Sequence, residues 1–151
     1  MGYLYSGVAP AVAVGTNKTL LTLISASTAR PQLMELIVGC GATPADLMTI
    51  FQLERFTAAG TEGSGFTPLA CDSSAPAALA DYGVGVFSAE PTYTASAILM
   101  LFALHQRGQF RWVAAPGRGL IAPATAANGI GLQSQSSGGT AAHDATMFHE
   151  E

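Results

Sequence analysis

The stretch from Gln109 to Leu132, QFRWVAAPGRGLIAPATAANGIGL, forces the chain to reverse twice within 24 residues and leaves no room for a helix. Phe110, Trp112 and Ala114 fall on one side of an extended chain, Arg111 and Val113 on the other. Pro116-Gly117-Arg118-Gly119 turns the chain, Leu120 to Ala122 makes a second short strand, and Pro123 ends it. Asn128-Gly129 is a turn signal ahead of Ile130-Gly131-Leu132. Three short strands separated by turns are the grammar of an all-β chain, and no catalytic motif interrupts them.

The same grammar runs through the rest of the sequence. Lys18–Ser27 and Gln32–Cys40 read as strands, the second closed by Gly39 and Gly41. In Leu47–Thr57 the set Leu47, Thr49, Phe51 and Leu53 is the apolar face of a half-buried strand. Residues 58–65 form a flexible loop, Phe66–Ala70 a short extended piece, and Asp72 can cap a single helical turn reaching Leu79. Asp81–Ala89 is a glycine-containing strand. Ser96–Gln106, SAILMLFALHQ, is the most apolar segment and is expected to be a core strand buried on both faces. Thr140–Glu151 reads as a final strand after the Ser136–Gly139 turn, with Ala141, His143, Ala145, Met147 and His149 on one face. Residues 1–17, rich in Gly, Ala, Val and Pro and without charge, read as an extended N-terminal arm. The expectation is therefore all-β: a jelly-roll-like β-sandwich of about eight strands over residues 18–151, preceded by the arm. A chain of 151 residues is long enough to bury a substantial core.

Few functions fit the composition. Charged residues make up 11% of the chain against about 25% in an average globular domain. A surface so poor in charge suits packing against other protein. The net charge of −4, with no Lys/Arg cluster, argues against nucleic-acid binding. Ala97–Leu104 is too short to span a bilayer, and the first residues lack the basic and apolar regions of a signal peptide, so synthesis in the cytoplasm is expected. Cys40 and Cys71 are expected to be free and buried. His143 and His149 share a strand face but lie about 20 Å apart along it, too far to hold one metal ion. Ser or Cys, His and an acid do not assemble into a recognisable nucleophile, and no catalytic residue, metal site or cofactor is expected. Contacts with a partner are expected from the arm's Tyr3, Leu4, Tyr5, Val8, Val12 and Val14. Arg107, Arg111 and Arg118 around Trp112 either meet carboxylates of a partner or are solvated charges on a sheet face.

Two segments carry a resemblance. Within Glu90–Leu132 it rests on Glu90-Pro91-Thr92-Tyr93-Thr94, on Gln106-Arg107 and Phe110-Arg111-Trp112, and on the Ala114-Ala115-Pro116-Gly117 turn. It continues through Pro123-Ala124-Thr125-Ala126 and Asn128-Gly129-Ile130-Gly131-Leu132. The second segment, Gly139–Glu151, contributes the Glu-Glu end, and weaker similarity extends through Gly41–Asp46. In these features, roughly half of the chain, the sequence resembles small tailed-phage virion proteins of the capsid decoration, or cement, type. The resemblance implies a β domain on the outside of the capsid, bound to the major capsid protein and to copies of itself, as a trimer in preference to a dimer. It transfers no individual site residue. The alternative is a fibre or spike module for host recognition, which copy number per particle would separate from decoration.

Overall fold

A computed structural model describes residues 2–13, 15–136 and 141–151. It is all-β, with two antiparallel sheets enclosing one core. Twelve strands are defined among the described residues: β1 (Leu4–Ala13), β2 (Lys18–Ile24), β3 (Gln32–Ala42), β4 (Met48–Ala58), β5 (Ser64–Phe66), β6 (Leu69–Ala70), β7 (Asp81–Val84), β8 (Thr92–His105), β9 (Gln109–Val113), β10 (Leu120–Ile121), β11 (Gly129–Ser136) and β12 (Ala142–Glu150). Sheet A runs β10-β3-β12-β1-β6, with β9 also beside β3. Sheet B runs β5-β7-β2-β11-β4-β8. Of the eight longest strands, consecutive ones lie in opposite sheets except at the β4–β8 step.

The core follows the period-two pattern of the strands. Tyr5, Gly7 and Ala9 of β1 and Ala145 and Met147 of β12 are buried, facing Leu21 and Leu23 of β2, Phe51 and Leu53 of β4, and Ile130 and Leu132 of β11. In β3 the buried set shifts from Leu33 to Leu36 and Val38, because a register irregularity opposite Phe148 and His149 inserts one residue. Phe102 and Phe110 stack at 3.8 Å and 8° from parallel, closing the gap between the sheets where β8 gives way to β9. The expected inward face of the last strand is fully realised: Ala141, His143, Ala145, Met147 and His149 are all buried.

Four expectations are corrected. Residues 4–13 are extended but form no separate arm. They are β1, paired with β12 from Leu4 opposite Glu150 to Ala13 opposite Ala142, and with β6 on the other side. A bulge after Ala9, with Ala11 at φ 49°, lets Val12 turn inward, and the Asp144 carboxylate accepts the freed Ala11 N–H at 2.6 Å. Secondly, β8 is not buried on both faces. It is the outer strand of sheet B, and Leu104 is its single buried residue. Thirdly, residues 72–79 form no helical turn. The Asp72 carboxylate instead accepts from the Ser74 backbone (2.9 Å) and hydroxyl (2.7 Å), an Asx-type turn. Lastly, the reversal before β11 lies at Ala127 (φ 64°), not at Asn128-Gly129. Gly129 is already in the strand, and a side chain there would collide with Leu23 and the Phe56 ring. The expected Ser136–Gly139 turn lies largely outside the described residues.

Candidate interaction surface

The expected contact residues on β1 divide between its inner and outer sides. On β1, Tyr5 and Val12 are buried in the core while Leu4 is exposed and Val8 half-buried on the outer face. Tyr3, 45% exposed, precedes the strand and exchanges both backbone hydrogen bonds with Glu151 at 3.1 Å. Val14 lies outside the described residues. Partner contact is therefore open to Tyr3, Leu4 and Val8 and closed to Tyr5 and Val12.

The arginines do not converge. Arg111 on the outer face of β9 binds the Glu35 carboxylate of β3 at 2.6 Å. Arg107, beyond the end of β8, pairs with Asp46 at 2.8 Å. Arg118 is exposed in the turn made by Pro116 and Gly117 (φ 71°), where its N–H donates to the Ala115 carbonyl at 2.9 Å. Trp112 points inward from β9 and packs against the core, half-buried. Arg107 and Arg111, which precede it in sequence, are thus held by the chain's own carboxylates. Such exposed pairs contribute about 0–1 kcal/mol each.

Around Arg111–Glu35 the outer face of sheet A mixes half-buried apolar side chains with polar ones. Strand register places Val113 beside Glu35, Glu35 beside Phe148, and Ser6 beyond it; in the next row Ile37 lies between Arg111 and Thr146, with Val8 following. Sequence periodicity carried a signal for this face: the residues out of phase with the core set of β12 and β1 include Phe148, Val8 and Leu4.

Behind this face lies a buried polar network. The Nδ1 of His149 is 2.7 Å from the Tyr82 hydroxyl, and its Nε2 is 3.1 Å from Glu151. The Glu151 carboxylate also accepts the N–H groups of Leu79 (2.9 Å) and Ala80 (2.7 Å), which pins the 72–80 loop to the end of the sandwich. The Tyr5 ring stacks on His149 at 5.3 Å, and its hydroxyl donates to the Pro76 carbonyl at 3.1 Å. Burial pushes the Tyr82 phenol well above its ordinary value and His149 below its own. Both imidazole nitrogens are taken up by neighbours, so the group fastens the 72–80 loop to β12. A shallow depression of about 300 Å³ opens beside it, lined by Tyr3, Tyr5, Pro76, Ala77, Leu79 and Glu151. Among the described residues, no three His, Cys, Asp or Glu side chains gather as metal ligands. Both cysteines are free, but Cys71 is exposed and Cys40 half-buried, because neither falls on a core-facing position.

A second buried polar pair lies in sheet B, where Gln52 donates to the Glu54 carboxylate at 2.6 Å. Burial raises the Glu54 carboxyl's pKa, and the Gln52 hydrogen bond opposes this in part. Ionised Glu54 therefore costs stability above its unfolded pKa, and the cost vanishes below that value, where both states are protonated. Glu54→Gln is expected to raise the melting temperature at pH 7 by a few degrees and to leave it unchanged near pH 3.5. Thermal melts at the two pH values check this.

Comparison with known proteins found no matching family model, no similar curated protein and no similar solved structure.

Proposed function

We infer that this chain is a structural virion protein of a tailed bacteriophage, a capsid decoration protein that binds the outside of the shell. It is read as bridging neighbouring major capsid subunits and associating with copies of itself. It needs no cofactor and performs no reaction. Its fold is read as a jelly roll: the eight longest strands fall in the orders β9-β3-β12-β1 and β2-β11-β4-β8, the two interleaved four-stranded sheets of that topology. Jelly rolls serve many functions, so the fold alone does not select this one.

The observation that carries the reading is where the resembling segments lie. Residues 90–132 and the described part of 139–151 form β8 to β12, which build one side of the sandwich and the middle of both sheets. The outer face of sheet A around Ile37, Phe148 and Val8, half-buried apolar side chains set among Glu35, Arg111, Ser6 and Thr146, is the surface assigned to the shell. Weak contacts of this kind gain occupancy from many identical sites on a lattice.

The test is to image the particle with and without the protein, and to add purified protein back to stripped shells. On the order of hundreds of copies per particle, at a fixed ratio to the major capsid protein, is expected. Val8→Lys should lower occupancy without lowering the melting temperature. A few tens of copies or fewer, confined to a tail or vertex, would replace this reading with the fibre or spike one.

A further inference from the structure

The longest strand of the molecule ends a sheet. β8 spans 14 residues and pairs with β4 on one side, and among the described residues no strand pairs with its other edge. Soluble domains protect such edges with lysine, proline, charged side chains or a covering segment. From Thr92 to Leu104 the strand carries none of these residues. Three register shifts between Thr92 and Met100, with Ser96 at φ 62°, leave Met100–His105 in regular pairing with Met48–Leu53.

The adjoining outer face carries exposed apolar side chains, with the Gln52–Glu54 pair opposite Leu101 and Ile98. Leu101 is 62% exposed and Ile98 49%, and on β4 Met48 is 49% and Ile50 37% exposed. The register sets Ile50 directly opposite Ala103 and Met48 opposite His105, so these side chains form one band. Together the four offer on the order of 400 Å² per copy, in the range of a functional patch on a monomer. A β8–β8 pair covers the free strand edges and the flanks of Leu101 and Ala103, while Met48 and Ile50, one strand further in, stay on the open face.

We propose that β8 is a self-association edge, pairing antiparallel with β8 of a second copy about a two-fold axis at Phe102, so that sheet B continues across the dimer. A two-fold pairing is self-complementary by construction. Centring it on Phe102 puts Leu101 of each copy opposite Ala103 of the other, and Met100 opposite Leu104. Outer-face residues then meet outer-face residues, and inner meet inner. The band continues from Ile50 through Ala103 to the Leu101 of the second copy. No charge lies within the paired stretch, so the two copies meet without repulsion, whereas a strand from an unrelated partner would have no reason to match this pattern. The geometry favours a pair over the trimer implied by the resemblance. It stands apart from the shell reading, because self-association is measured on free protein and shell binding by occupancy.

Leu101→Lys and Leu101→Glu test it. Each places two like charges across the axis, close enough to repel. Wild-type protein at micromolar concentration is expected to sediment at twice the 15.4 kDa chain mass. Either variant alone should run as a monomer, with association weakened at least about 100-fold. An equimolar mixture of the two should recover the dimer. Melting temperatures show that the folds are intact, since Leu101 lies outside the core. A wild-type monomer, a trimer, or variants that keep the wild-type mass would overturn the proposal, as would failure of the mixture to re-associate when both variants are folded.

Discussion

Gly7→Val is expected to destabilise the protein by about 3–5 kcal/mol and lower its melting temperature by roughly 10–15 °C. Gly7 sits on the inner face of β1 with the Tyr82 ring lying against it, and a Cβ would fall inside the ring's van der Waals surface. Tyr82 is 1% exposed and its neighbours are packed, so it cannot step aside cheaply. Overpacking accounts for about 1–3 kcal/mol or more. Moving the ring also breaks its 2.7 Å hydrogen bond to His149. That adds about 1 kcal/mol, and more if His149 is left with an unmatched nitrogen in the core. Against a typical total of 5–15 kcal/mol the loss is large. Val8→Thr, one residue along on the outer face, should change stability by no more than about 0.5 kcal/mol. The paired comparison, by thermal or denaturant unfolding, tests whether β1 is an integral strand. If it were a detachable arm, both substitutions would be silent. Removing residues 1–13 should likewise abolish folding, because β12 would lose its neighbour and Tyr5, Ala9 and Val12 would leave the core.

That β1 was mistaken for an arm has a physical origin. Its inward residues Tyr5, Gly7 and Ala9 are large, absent and small, so the period-two signal is faint. The glycine is there to make room for Tyr82, a partner 75 residues away that no local window contains. β12 was legible because His143, Ala145, Met147 and His149 alternate with Asp144, Thr146 and Phe148, which lie on the other face, and β4 was legible from a similar alternation. β8 misled in the opposite direction. An apolar run signals burial only when both flanks are covered, and edge position is a property of topology, not of the run.

The candidate surface was partly legible. Arg111 and Trp112 were expected near a contact face, and Arg111 does lie on the outer face of sheet A. Its partner, Glu35, is distant in sequence and could not be foreseen from spacing. The His149–Tyr82–Glu151 network was missed entirely. Its members come from β7, β12 and the residue after β12, and each alone looks like an ordinary strand or terminal residue.

Acidification from pH 7 to pH 5.5 is expected to destabilise the protein more steeply than any single surface charge could. His143 and His149 are both fully buried, and burial depresses both pKa values below the ordinary value for histidine. The folded state therefore favours the neutral rings, and the unfolded chain binds the extra protons. The sign follows: stability is complete above the unfolded pKa near 6.5 and is lost as pH falls through the window between that value and the depressed folded ones. Within the window each histidine contributes up to about 1.4 kcal/mol per pH unit, so the two together give up to about 2.7 kcal/mol per unit. Their surroundings differ. His149 faces Tyr82 and Tyr5, and Glu151 favours its protonated form. His143 lies edge-on to Phe51, with Nδ1 at 3.1 Å from the Ala141 carbonyl and Asp144 next to it in the chain, while its Nε2 has no hydrogen-bond partner among the described residues. His143→Leu thus removes a buried polar atom that is already unsatisfied. It should leave stability at pH 7.5 unchanged or up to about 1 kcal/mol higher, and should cut the acid slope to about half. Urea midpoints measured at half-unit steps from pH 7.5 to 5.5 give both numbers. A flat wild-type profile over that range would refute the buried neutral histidines, and an unchanged slope in His143→Leu would assign the whole effect to His149.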